Sequence, residues 1–210
     1  MPISKEFTKR VFSCIQEKLV MLGFEKRKPE ILTVPLSADV MGWVGLNKAI
    51  GHGENLEINV VMGVRHQGIE SLLSDLLQEP FNTFSPPTLA GNIGYLSPGN
   101  RYVPFLFSSS RDVALIADEL CNEVKTYGLD FARKVTDLSA LVEAMQVARF
   151  GMSEQIGYRV PVGYLLLGES DKAIWFINQK IDEIGSRTDP AALRYKNFAE
   201  RITEHIVKTN

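Results

Sequence analysis

The sequence predicts an α+β protein: an N-terminal helix, a small antiparallel sheet covered by helices, and a C-terminal helical extension. Three observations predict it. Apolar residues recur at helical spacing near the start of the chain. Three strand-like runs then follow one another with no helix between them, which disfavours a parallel, doubly wound sheet. From residue 151 onward the chain reads as helices throughout, so the expected division is an α+β domain over 1–150 and a helical extension over 151–210 packed on it.

The first element is "SKEFTKRVFSCIQEKLVMLGF", in which Phe7, Val11, Ile15, Leu19 and Leu22 share one helix face. Ser4 is expected as its N-cap, and Gly23 as the left-handed residue that ends it. In "EILTVPLS", Leu32, Val34 and Leu36 alternate, and Pro35 places the run at a sheet edge because it lacks a ladder donor. "VMGWVGLNKAI" and "NLEINVVMGV" flank "GHGEN", a glycine-rich hairpin turn. Leu56, Ile58 and Val60 point to one side and Glu57 and Asn59 to the other, as an antiparallel strand with one wet face requires.

An amphipathic helix follows, with Ile69, Leu72, Leu73 and Leu76 on its apolar face. Residues Glu79 to Asn100 are rich in proline and glycine and read as a long functional or mobile connection. "YVPFLF" is expected to add an edge strand. A helix through Val113, Ile116, Leu120 and Val124 should stop at Gly128, and another should start at Thr136. In the extension, Gly168 ends one helix, Ser170 caps the next, Ile174, Ile177, Ile181 and Ile184 line a face, and Asp189–Pro190 opens the last. "GYLLLGESDKAIWFINQKI" resembles half of a tetratricopeptide repeat. A single such unit cannot bury its own face and must pack on the domain or on a partner.

With 23 lysines and arginines against 25 acidic residues the net charge is −2 and the pI near 6.0, which argues against a general nucleic-acid binder. The one basic run, "EKRKPE", reads as a solvated turn. Cys14 and Cys121 both fall on apolar helix sides and look like core filler in a reducing compartment. The first residues carry charges where a signal peptide needs an apolar run, and no window approaches about eighteen uninterrupted apolar residues. No membrane association and a cytoplasmic location are therefore expected.

The three histidines, His52, His66 and His205, have no metal-ligand spacing to each other or to the cysteines. No phosphate-cradling glycine loop and no nucleophile elbow is present, and the glycines of "AGNIGYLSPGN" read as turns. Neither metal nor cofactor is expected. The knot Arg65-His66-Gln67, between a strand and a helix, has two readings. In the functional one, Arg65 binds an anion near a helix N-terminus and His66 moves a proton, with a carboxylate such as Glu57 or Glu70. In the structural one, these side chains satisfy the first unpaired N–H groups of the helix. Among the aromatics Trp43, Phe81, Phe84, Tyr95, Tyr102, Trp175 and Tyr195, those in the proline-rich loop are least able to bury themselves. Aromatics with arginine make good interface anchors, so Phe81, Phe84, Tyr95, Arg101 and Tyr102 form the candidate partner-binding set.

Taken together, "GVRHQGIESLLSDLL", "SPPTLAGNIGYLSPGNRYVPFLF" and "YGLDFARKVTDLSALVEAM" resemble a group of uncharacterised bacterial proteins. These share a G-V-R-x-x strand end and a P-P-T…G-Y-L-x-P loop with a following arginine. The resemblance spans residues 1 to about 149, with Leu22-Gly23-Phe24 as an early marker. The architecture is similar to that of small cytosolic immunity proteins, which neutralise toxins by binding them. It implies a non-catalytic protein binder with a protein partner such as a cognate bacterial toxin. The alternative is a small enzyme acting on an anionic substrate at Arg65 and His66.

Overall fold

Ser4 opens the fold by accepting the Phe7 N–H on its hydroxyl (3.0 Å), which starts helix α1 (Lys5–Met21). The computed structural model describes residues 3–50, 55–108, 111–147 and 153–209. Val11, Ile15 and Leu19 of α1 are fully buried, and Gly23, at φ +92°, turns the chain out of the helix. Strands β1 (Glu25–Lys28), β2 (Ile31–Pro35), β3 (Val40–Ile50) and β4 (Leu56–His66) follow as consecutive neighbours in one sheet. The turn "GHGE" with His52 lies outside the described residues. Strands β5 (Leu89–Asn92) and β6 (Phe105–Phe107) both pair antiparallel with β4, end to end along the same edge.

Two local expectations change here. Pro35 does not mark an edge strand, because β2 lies between β1 and β3. The β1 register ends at Thr33, so Pro35 overhangs β1 and its missing N–H removes no bond on that side; it pairs only with Met41 of β3. The edge on this side is β1, whose sequence "EKRK" comes from the run expected to be a turn; charged residues blunt such an edge against further pairing.

After β4 the chain forms α2 (Gln67–Leu77), and after β5 a short α3 (Ile93–Leu96), so the proline-rich connection contains two elements. Helix α4 (Val113–Glu123) does not stop at Gly128. It runs through a π-helical turn (Val124–Gly128) into α5 (Leu129–Lys134). Gly128 has φ −67° and is needed for space: a Cβ there would sit 2.7 Å from Met62 Cγ and 3.1 Å from Ile93 Cδ1. Asp137, not Thr136, caps α6 (Leu138–Met145) by accepting the Ala140 N–H (3.0 Å). Helices α7 (Ser153–Leu166), α8 (Ser170–Ile184) and α9 (Pro190–Thr209) complete the chain. Glu169, not Ser170, holds the cap position of α8, with no side-chain cap bond; Asp189 caps α9 as expected, accepting from Ala192 N (3.1 Å).

Contacts group the chain into two compact units, Met1–Arg65 with Leu89–Thr136, and His66–Thr88 with Asp137–Asn210. The first holds the sheet, with α1 packed along α4, α4 against β6 and α5 against β3. The second is helical and takes α2 and α6 together with α7–α9. This grouping differs from a break near residue 150, a position outside the described residues.

In the helical unit α7 packs against α2, α6, α8 and α9, which accounts for its apolar residues on every side. Gly163 lets α6 come close, since a Cβ would meet Val142 Cγ2 at 2.4 Å. Pro161 lies inside α7 and cannot donate to the carbonyl four residues back, that of Gly157. The Tyr195 hydroxyl donates to that carbonyl instead (3.2 Å), from a ring packed on Tyr158 and Phe198 with centroids 5.1 and 5.6 Å away. Tyr195→Phe keeps the ring and removes the donor. It should cost about 1–3 kcal/mol, the penalty of a buried carbonyl left unsatisfied, read as a fall in the urea midpoint. An unchanged midpoint would show that the carbonyl finds another partner.

Candidate functional site

Strand β4 pairs with β6 over Leu56–Ile58 and with β5 over Val61–Val64, so the edge at Asn59–Val60 is left between the two registers. From this break the chain makes its excursion through residues 93–104. Asn92, at the last position of β5, ties the two ends of the excursion together. Its Oδ1 accepts the N–H of Gly94 (3.0 Å) and of Val103 (3.1 Å), and its amide donates to the Val103 carbonyl (3.4 Å). Arg101 N donates to the Gly94 carbonyl (3.2 Å), and a Cβ on Gly94 would lie 2.1 Å from the Arg101 carbonyl oxygen. The loop is therefore a closed, braced structure.

This loop presents three of the five residues of the candidate contact set. Tyr95 is 37% exposed, Tyr102 47%, and Arg101 is exposed. Among the described residues the Arg101 guanidinium has neither a hydrogen bond nor an ion pair. The Tyr102 hydroxyl donates to Glu57 Oε1 (3.0 Å) and has the Asn59 side-chain amide as a second partner, which fixes the ring over the wet face of β4. Partial burial and the Glu57 carboxylate both hold the Tyr102 phenol above its ordinary pKa. Beside the loop lies an open hollow of about 530 Å³, with Arg101 and Ser97 on one wall and Glu119, Glu123 and Tyr127 on the other. Tyr127 belongs to the π-helical turn.

The other two residues of the set belong to the other unit. Phe81 is 45% exposed and Phe84 half-buried, in a segment shaped by Asn82, whose Oδ1 accepts from Phe84 N (3.0 Å) and Ser85 N (3.1 Å). Of the remaining aromatics, Trp43 and Tyr195 are buried, whereas Trp175 on α8 is 61% exposed.

The Arg65-His66-Gln67 knot has a different character. Arg65 is 1% exposed, and a guanidinium so shut off is not presented to a ligand arriving from water. His66 is the N-cap of α2, its Nδ1 accepting the Ile69 N–H (3.3 Å). That bond requires an unprotonated Nδ1, which places the ring's proton on Nε2; to act as a base the imidazole would have to give up the cap. The His66 N–H donates to Thr88 Oγ1 (2.9 Å), and the Thr88 hydroxyl donates to Glu70 Oε1 (2.7 Å).

Glu70 is held in turn by Arg159 of α7, with Nε on Oε1 (2.7 Å) and Nη2 on Oε2 (3.1 Å) in a forked pair, each side chain only 5% exposed. Arg159 Nη1 also donates to Gln155 Oε1 (3.2 Å). The carboxylate proposed from sequence as a catalytic partner is thus held by Thr88 and Arg159. Glu57, the other candidate, lies on the sheet with Tyr102. Sequence reasoning missed both Thr88 and Arg159. The signal for Arg159 was a lone charge inside "YRVPVGYLLL", since charges seldom enter a buried helix unpaired.

The two thiols differ: Cys121 is buried and pushed by burial up to about 12, and Cys14 is half-buried with its pKa raised for the same reason. No group of three or more His, Cys, Asp or Glu placed to hold a metal ion occurs among the described residues. No helix among them is long and apolar enough to cross a membrane. No protein-family model matches the chain, and neither the curated proteins nor the solved structures give a match to it.

Proposed function

We propose that the protein is a non-catalytic protein-binding protein that holds its partner through the braced loop at residues 93–104. The observation that carries this reading is the pairing of exposed Tyr95, Tyr102 and unpartnered Arg101 with a backbone fixed in advance by Asn92. Tyrosine and arginine are the residue types that dominate interface energies, and a loop ordered before binding avoids the entropy of being ordered on contact. The hollow beside it offers an arginine and two glutamates, so a partner with both an acidic and a basic side chain at the contact fits best. The narrower reading is an immunity protein that neutralises a bacterial toxin by direct binding. It is supported by likeness of architecture, an N-terminal helix followed by an antiparallel sheet and helices, and fold alone does not carry function.

The test is capture of partners by the tagged protein from lysate, repeated with Tyr95→Ala/Arg101→Ala and with Phe81→Ala. The expected result is one stoichiometric partner, lost with the double variant and kept with Phe81→Ala. Each loop truncation should weaken binding by about 2 kcal/mol, while surface changes of this kind leave folding within about 0.5 kcal/mol. Toxicity of the partner expressed alone, relieved by co-expression, would establish the immunity role. A partner retained by the double variant would remove the loop from the interface.

A further inference from the structure

A second hollow, of about 490 Å³, opens in the sheet-bearing unit between the first half of α1 and the β1–β2 turn. Lys5 and Lys9 of α1, Lys26 of β1 and Lys48 of β3 line it, with Glu30 as the one acidic residue among the described lining, in a chain whose net charge is −2. Among the described residues, Lys5, Lys9 and Lys48 have no ion pair and no side-chain hydrogen bond. Lys26 donates only to Gln16 Oε1 (2.8 Å). Gln16 is itself buried, and its amide donates to the Pro29 carbonyl (2.5 Å), which turns its oxygen toward Lys26. A neutral side chain therefore holds this ammonium in place without cancelling its charge.

Four exposed positive charges from three elements line one hollow, and their summed potential favours an anion there. The volume is that of a small-molecule site. Lysines act as point charges that suit phosphate oxygens, and half-buried Phe12 supplies an apolar wall against which a flat ring can lie. The "EKRKPE" run, which reads from sequence as a solvated turn, contributes Lys26, Pro29 and Glu30 to this lining.

We infer that this hollow binds a small polyphosphorylated ligand of the nucleotide class, at a site separate from the braced loop and independent of what that loop binds. ATP and pyrophosphate are the probes, titrated calorimetrically into the full chain. The wild type is compared with Lys9→Ala/Lys48→Ala and with a charge-matched control, Lys134→Ala/Lys208→Ala. Saturable 1:1 binding is expected, weakened about tenfold for each pocket lysine removed, with the control unchanged. Phe12→Ala, shown by its melt to be folded, should weaken ATP and leave pyrophosphate alone. Any of three results would overturn the assignment: no saturable binding of either probe, equal loss in the control, or a Phe12→Ala variant that treats ATP as the wild type does. Lysine-dependent binding of a short DNA duplex that neither probe displaces would overturn it too, and would assign the surface to a nucleic-acid backbone.

Discussion

Arg159→Met is expected to lower the stability of the protein by about 3–5 kcal/mol, the largest effect of any single substitution considered. The guanidinium forms a forked pair with Glu70, and both side chains are almost wholly withdrawn from water. Methionine fills a similar volume, so the loss comes less from packing than from the buried carboxylate it leaves behind. The Thr88 hydroxyl would keep its bond to a charge that has lost both of its Arg159 donors. Glu70→Leu should cost a comparable amount by stranding Arg159 with only Gln155. In Glu70→Leu/Arg159→Met neither charge remains, and the double variant should lose less than the sum of the two single losses, by about 3 kcal/mol. Urea midpoints of the four proteins decide it. Additive losses would mean that the pair is not coupled, and that each residue matters only for its own packing.

The same pair shows what the sequence could and could not disclose. Glu70 entered the sequence reading as a candidate carboxylate for Arg65 and His66, and Arg159, an isolated charge in an apolar run, did not enter it. Their meeting was not legible, because they lie 89 positions apart and helical periodicity says nothing about which helices become neighbours. Helix starts were readable where a capping side chain acts locally, as at Ser4 and Asp189. Gly128 misled for a tertiary reason: it looks like a helix stop, but its lack of a Cβ serves close packing on Met62 and Ile93. Pro35 misled because a strand need not be paired over its whole length. Of the candidate contact set, Tyr95, Arg101 and Tyr102 are exposed and share one loop. The brace that holds them depends on one asparagine whose partners lie on both sides of the loop, a pattern with no local signature.

Asn92→Ala therefore separates the loop's shape from its chemistry. The substitution removes the acceptor for two backbone N–H groups, Gly94 and Val103, and the donor to the Val103 carbonyl. Asn92 is buried and part of this network is too, so the freed backbone groups are not fully rehydrated while the loop keeps its present course. A loss of about 2–4 kcal/mol is expected if the loop stays in place, and less if it opens to water, at about 1–3 kcal/mol for each polar group left unsatisfied. Opening matters more for function. Tyr95, Arg101 and Tyr102 would all still be present, but a partner would have to order the loop as it bound, and affinity should fall by about tenfold or more. Asn92→Asp keeps both acceptor contacts and sets a second oxygen against the Val103 carbonyl, so it should fall between the wild type and alanine on both scales. Hydrogen exchange at the Gly94 and Val103 amides reports the brace directly, and partner capture reports recognition. Faster exchange with undiminished capture would show that recognition does not depend on the loop's fixed geometry, and the binding reading would lose the observation on which it stands.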